Sequence, residues 1–323
     1  MKPLRQSFIA GTVLMTVLLA GSSCQRRPLF LADNMARLEL TVHDTLPLVG
    51  CVGTGNLYET RLYTLADGRL AETSYTGPAG GDIFLPAGTY DLVCTTFDTE
   101  TVVFSEEGDV STLYATTNPV PVAVGDLYRT VVRAAELNTA EALDKMPVVW
   151  QPDYLFSATV PSLIVPFRDE SEDCFVVQAD AWPLVRTCRV VARGVTGQEW
   201  LSDATVFLTG MASGCRLAAR TLSEEASALW FQLGKSPEER ILHTYFNTFG
   251  FLPGYSHQLF LLLTDTDGGR YLFPFDVTAQ CRAGDAVTIY VDLDFAVPEP
   301  AHGGGGFSPT VDEWNVVTHP VKL

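Results

Sequence analysis

Few side chains in this sequence stand at spacings that do chemistry. The five histidines, His43, His243, His257, His302 and His319, are scattered, and none has a second ligand residue at helical or hairpin distance, so no metal is expected. Asp265 and Asp267 in "TDTDGGR" (Thr264 to Arg270) alternate as in a calcium loop. Gly269, Arg270 and Asp276 then stand where such a loop needs a further acceptor, a glycine and a chelating acid, so a hairpin turn is the better account. The nucleophile elbow, the zinc-protease helix, the phosphate-binding loop and the dinucleotide-binding glycines are all missing, so neither an enzyme nor a cofactor is expected. The acidic run "RDESEDC" (Arg168 to Cys174) reads as a solvated loop. Cys51, Cys94, Cys174, Cys188, Cys215 and Cys281 sit singly, and Cys94 and Cys188 fall inside apolar runs where a thiol is a small hydrophobe. Six thiols in an exported chain allow three disulfides in 15 pairings, which the sequence leaves open.

The seventh cysteine has different surroundings. Lys2 and Arg5 precede an uncharged run from Gln6 to Ser23, most apolar from Phe8 to Ala20. That is the length of a secretory signal, about 7 to 15 apolar residues, and short of the ~20 that span a bilayer. Gly21, Ser22 and Ser23 supply small side chains before Cys24, and the stretch "LLAGSSCQRR" (residues 18 to 27) resembles the lipobox of bacterial lipoproteins, with Gly21 where leucine is usual. The resemblance implies a diacylglycerol on the Cys24 thiol, cleavage before it, and acylation of the freed amine. Two or three acyl chains hold a protein to a membrane far more firmly than one. The other reading is an ordinary secreted chain cut near Ala20 or Ser23, with Cys24 a free thiol.

Composition bounds the rest. The chain carries 21 basic and 38 acidic side chains, a formal charge of -17, and loss of Lys2 and Arg5 with the signal takes two positive charges from it, giving -19. Nucleic acid is thereby excluded as a partner, because its phosphates call for lysine and arginine. With 47% hydrophobic residues, a mature chain of roughly 300 residues buries a large core and divides naturally in two.

Strand patterns dominate. Leu38 to Val42, Arg61 to Leu65, Val287 to Val291 and, less strictly, Tyr90 to Cys94 and Ala204 to Leu208 alternate between turn residues, and Asp67-Gly68 and Asp267-Gly268 are hairpin-type turns. One short helix is expected over Asn138 to Lys145, capped by Thr139, and at most a turn over Ser236 to Glu239. The fold class is all-β, of sandwich type. "MPVVWQPDY" reads as a linker, giving a signal peptide 1–23, a lipidated tether 24–36, sandwiches over 37–148 and 149–300, and a glycine-rich closing segment with a strand over 301–323. Tyr90 suits a strand entry where the ring packs inward and the hydroxyl reaches backbone; Phe246 and Phe249 suit core packing beside Gly250.

Five segments, "LPAGTYDLVCTTFD" (Leu85 to Asp98), "PDYLFSATV" (Pro152 to Val160), "TVFLTGMASG" (Thr205 to Gly214), "HTYFNTFGF" (His243 to Phe251) and "FPFDVTAQC" (Phe273 to Cys281), resemble in order and spacing the motifs of the Bacteroidales fimbrillin-like lipoproteins, as does the closing "GGGGFSPTVDEWNVV" (Gly303 to Val317). The resemblance implies two transthyretin-like β-sandwich domains in tandem after a lipoprotein signal, at the outer membrane or cell surface, among pilus stalk, tip or anchor proteins. It also implies other fimbrial subunits or surface proteins as partners, a host or glycan ligand as a further one, and the membrane reached through lipid. In such pilins an arginine-specific protease removes the first strand and a neighbour's terminal strand replaces it. Arg37 stands before an alternating strand as the matching candidate, and Thr310 to Leu323 is the candidate donated tail, restricted by Pro309 and Pro320. An uncut Arg37 keeps the lipid and makes the protein an anchor or accessory lipoprotein; cleavage releases it into a pilus. The alternative function is a surface glycan-binding lipoprotein whose sugar platform draws on Trp150, Trp182, Trp200, Trp230 or Trp314.

Overall fold

Alternating burial along short strands sets the architecture. The computed structural model describes residues 34–43, 56–105, 107–153, 155–168, 174–282, 287–300 and 315–316. In chain order come β1 (Met35–Val42), β2 (Tyr58–Thr64), β3 (Leu70–Thr76), β4 (Gly80–Phe84), β5 (Gly88–Thr96), β6 (Val102–Ser105) and β7 (Tyr114–Thr117). Helices α1 (Val122–Ala134) and α2 (Ala140–Asp144) follow, then β8 (Val148–Val149), β9 (Phe156–Val165), β10 (Phe175–Pro183) and β11 (Arg186–Thr196). The remainder is β12 (Leu201–Ala212), β13 (Gly214–Arg216), β14 (Thr221–Leu222), β15 (Ala226–Gln232), β16 (Gly234–Ser236), β17 (Ile241–Thr248), β18 (Gln258–Asp265), β19 (Arg270–Asp276), the short helix α3 (Thr278–Cys281), β20 (Thr288–Ala296) and β21 (Asn315–Val316).

The first sandwich is a seven-stranded sheet of order β3-β2-β5-β9-β10-β1-β4. β9 and β10 pair only at Trp182 with Ser157 and Pro183 with Phe156, so the sheet turns a corner there. Its two arms share one core, with Leu38 and Leu40 of β1, Ile83 of β4 and Val177 of β10 facing Tyr58, Leu62, Leu92, Cys94 and Phe156. The second sandwich stacks the sheet β16-β17-β11-β20 on the sheet β21-β19-β18-β12-β15-β8, around Val190, Val206, Phe231, Phe246, Leu261 and Ile289. α1 covers the outer face of that six-stranded sheet, placing Tyr128, Val131 and Val132 against Phe207, Phe260 and Leu272. A small sheet, β14-β13-β7-β6, and a third cluster including Tyr63, Val93, Leu155, Ala212 and Phe249 tie the halves together.

The all-β class is as expected, but the division at 148/149 does not follow the sheets. β9 and β10, after that point, complete the first sandwich, while α1, α2 and β8, before it, belong to the second. Val148 and Val149 form no linker: they pair in parallel with Ala228 and Leu229 of β15, a bond partner that lies far away in sequence and leaves no local mark. The first strand begins at Met35, two residues inside the expected tether. The expected helix is present as Ala140–Asp144, although the Thr139 side chain makes no cap bond. The longer α1 was not expected; valine, threonine and glycine in "VAVGDLYRTVVRA" favour other structure, and the i, i+3, i+4 stripe of Tyr128, Val131 and Val132 wins by burial.

Candidate strand-exchange site at β1

β1 presents Ala36, Leu38 and Leu40 to the core and Arg37, Glu39 and Thr41 to solvent. Burying each leucine is worth roughly 1.5–3 kcal/mol. The strand lies between two neighbours, parallel to β10 over residues 36 to 42 and antiparallel to β4 over 35 to 39. Arg37 therefore sits within the strand rather than before it, with Val176 and Asp82 as backbone partners. Its side chain is exposed, yet its peptide bonds belong to a ladder on both sides.

Both ends of the strand are pinned. At its start the Leu85 amide donates to the Asn34 carbonyl (2.7 Å). Arg168 donates Nη1 to the Met35 carbonyl (2.9 Å) and Nη2 to the Leu85 carbonyl, and its guanidinium lies 5.2 Å from the Phe175 ring centroid. Arg168 is thus a buried clamp, 6% exposed, where the sequence suggested the first residue of a solvated loop. At the far end the His43 amide donates to Ala181 (2.8 Å), while the imidazole contacts Asp180 (2.8 Å) and stacks on Trp182 at 4.0 Å. Gly80 makes the close approach of β4 possible. Its φ is +89°, and a Cβ there would stand 2.0 Å from the Leu38 carbonyl oxygen.

Of the expected donated tail, only Asn315–Val316 is described, pairing in parallel with Tyr271 and Leu272 at the outer strand of the six-stranded sheet. Cys24, Cys51 and Trp314 lie outside the described residues, as do residues 169–173 of the acidic run. Two sequence expectations meet here, Arg37 and the alternating strand; Arg168, 131 residues on, was not singled out, and no local signal separates it from the acids that follow.

Elsewhere the polar side chains hold structure. Asp265 accepts from the amides of Asp267 (3.0 Å) and Gly269 (2.7 Å) and from the Tyr271 hydroxyl (3.0 Å), closing the β18–β19 turn. The Tyr90 ring is buried and its hydroxyl reaches the Ala87 carbonyl at 3.5 Å, while Phe246 stacks on Phe231 at 4.8 Å. Cys94, Cys174, Cys188, Cys215 and Cys281 are free thiols. Burial pushes Cys94 up to about 11 and Cys215 and Cys281 up to about 12, away from nucleophilic use. Among the described residues no group of three or more His, Cys, Asp and Glu converges as a metal site, and no helix is long and apolar enough to cross a membrane.

Trp150, Trp182, Trp200 and Trp230 are half-buried, Trp150 edge-on to Trp230 at 4.9 Å. The exposed rings on the outer face of the β16-β17-β11-β20 sheet are instead Tyr245 and Tyr290, with Arg189 at 5.4 Å and Arg193 at 5.0 Å from their respective centroids.

Among solved structures, a protein of Bacteroides ovatus described as a "putative adhesin" superposes with a TM-score of 0.57 at 18% identity, covering 86% of this chain and 97% of that one. The fimbrial anchor protein Mfa2 from Porphyromonas gingivalis gives 0.48 at 10% identity, covering 80% and 90%. A Bacteroides thetaiotaomicron structure described under "polysaccharide binding proteins (DUF1812)" gives 0.47 at 10% identity, covering 81% and 92%. No curated protein matches in sequence. The family model described as domain of unknown function (DUF5119) matches residues 59–232, more than half of the chain. The chain belongs to that family, and it has the fold of the B. ovatus protein, as the resemblance of its motifs to the fimbrillin-like lipoproteins leads one to expect.

Proposed function

We propose that this protein is a non-enzymatic surface lipoprotein of fimbrial type, fastened by lipid at Cys24 and acting in pilus assembly or adhesion as an anchor or accessory subunit whose own β1 fills the slot that strand exchange would otherwise open. The observation that carries the reading is the position of β1: a strand paired on both sides, beginning at Met35, eleven positions after Cys24, whose removal would leave β10 and β4 with unpaired backbone groups and an apolar trough. An extended segment with alternating apolar residues fits such a slot. Pinning at both ends favours the anchor or accessory form, in which Arg37 stays uncut and lipid and sandwiches remain one chain. Its partners are then other fimbrial subunits or surface proteins, and its place is the outer membrane or cell surface. Cys24→Ala is expected to move the protein from membrane to soluble fractions; retention in the membrane fraction would contradict the lipid anchor.

A second reading, a glycan-binding lipoprotein, has Tyr245 and Tyr290 behind it as exposed rings on one flat sheet face. Binding on a glycan array that is lost in Tyr245→Ala and Tyr290→Ala would raise it above the first.

A further inference from the structure

The start of β1 shares one pole of the first sandwich with the starts of β5 and β10 and the ends of β2, β4 and β9. The Leu65 amide donates to Thr89 (3.1 Å), Thr89 pairs with Ile164, Gly88 pairs with Val165, and Arg168 joins Met35 to Leu85. On this pole three large apolar side chains stand in solvent: Leu65 at 47%, Ile164 at 73% and Phe167 at 82%, the last being the most exposed large apolar side chain among the described residues. Leu65 and Ile164 flank Thr89 in one cross-strand row, beside an open depression of about 480 Å³ lined by Thr64, Leu65, Ala66, Gly88, Thr89 and Tyr90. Among the described residues nothing covers them, and exposing large apolar groups at one site needs a reason.

We infer that this pole lies against the lipid bilayer, with Phe167, Ile164 and Leu65 dipping into its interface. The inference rests on the reading that Cys24 is lipidated. Asn34 lies ten residue steps beyond Cys24, and fully extended that length of chain reaches at most about 36 Å. The acyl chains would therefore hold the end of the sandwich where β1 begins close to the membrane, and the three side chains are at that end. Held there, a weak contact is favoured by its high local concentration. The sequence also says which force is at work. Arg168 is buried, Asp169, Glu170, Glu172 and Asp173 follow Phe167, and the basic residues from Cys24 through β1, Arg26, Arg27 and Arg37, fall short of the roughly four to eight that make a cluster for anionic head groups. Contact comes from apolar insertion, and it is the same on neutral lipid and at high salt.

The test is hydroxyl-radical footprinting of the lipidated full-length chain on neutral phosphatidylcholine vesicles, beside the Cys24→Ala chain mixed with the same vesicles. The lipidated protein is expected to float with the vesicles and to show at least a threefold fall in oxidation of Phe167 and Leu65, with Tyr245 on the other sandwich unchanged. A double variant, Ile164→Ser with Phe167→Ser, alters only exposed positions and is expected to float normally but to lose the protection of Leu65. A chain that floats with Phe167 and Leu65 oxidised as in the Cys24→Ala control would overturn the membrane-facing pole while leaving the anchor intact. A wild-type chain that does not float would remove the anchor, and this inference with it.

Discussion

His257 shows how a single polar side chain inside this fold couples to pH. It is buried, and burial holds its pKa below the ordinary 6.5; the Thr209 carbonyl, which its Nδ1 meets at 3.0 Å, opposes that shift, Arg282 adds to it, and Asp276 works against it. The neutral ring is the folded form. As pH falls below about 6.5 the unfolded chain takes up this proton first, so the native state loses stability down to the folded-state pKa, at no more than about 1.4 kcal/mol per pH unit. Above pH 6.5 the group contributes no slope. Denaturant melts at pH 7.5 and pH 5 are expected to show a larger loss for the wild type than for His257→Gln; equal losses would contradict the assignment. The sequence marked His257 only as a lone histidine, which is what it is structurally. Tyr90, by contrast, was legible in outline, ring inward and hydroxyl to backbone, because the carbonyl it reaches, Ala87, is only three residues away and on no distant element.

At the scale of elements the account turns on β1. A bound protease needs an extended, unpaired segment, whereas the bond after Arg37 lies in a two-sided ladder and is cut only when the strand opens. Arg168 is the main lock at its start. Arg168→Ala leaves the Met35 and Leu85 carbonyls without that donor, a loss of roughly 2–4 kcal/mol for bonds to a charged group in a buried place. Arginine-specific protease is therefore expected to leave the Arg37–Leu38 bond of the folded wild type intact and to cut it about tenfold faster or more in Arg168→Ala, read by fragment mass. Equal rates would show that the clamp does not hold the strand. β1 and β20 could be read from alternation, since each buries one face; β2, β5 and β12 are buried on both faces for most of their length, and the turn residues that bound their apolar runs marked them as strands. α1 was missed because its valines, threonine and glycine are weak helix formers, and its apolar stripe of Tyr128, Val131 and Val132 becomes decisive only when buried on β12, β18 and β19.

For the whole molecule, the chain crosses between sandwiches three times, before α1, between β8 and β9, and between β10 and β11, and this is where reading along the sequence fell short. A proline-bounded stretch looks like a linker whether it joins two domains or threads one sandwich to the edge of the other. The consequence is physical: residues 34–148 lack β9 and β10, and with them Phe156, Ala158, Val177 and Ala179 of the first core. A fragment ending at 148 is expected to show no cooperative unfolding transition, whereas the chain from 34 to 300 is expected to melt cooperatively; a well-folded 34–148 fragment would contradict the interleaved architecture. The third cluster, in which Tyr63 and Val93 meet Ala212, Phe249 and Leu252, joins the two halves through shared buried apolar contacts.

The central claim is that β1 and a lipid at Cys24 remain on one chain. Intact-mass and N-terminal analysis of the protein purified from its native cell surface tests it most directly. The account predicts a chain that begins at an acylated Cys24 and still contains Arg37. A mature chain that begins at Leu38, with no lipid, would contradict it.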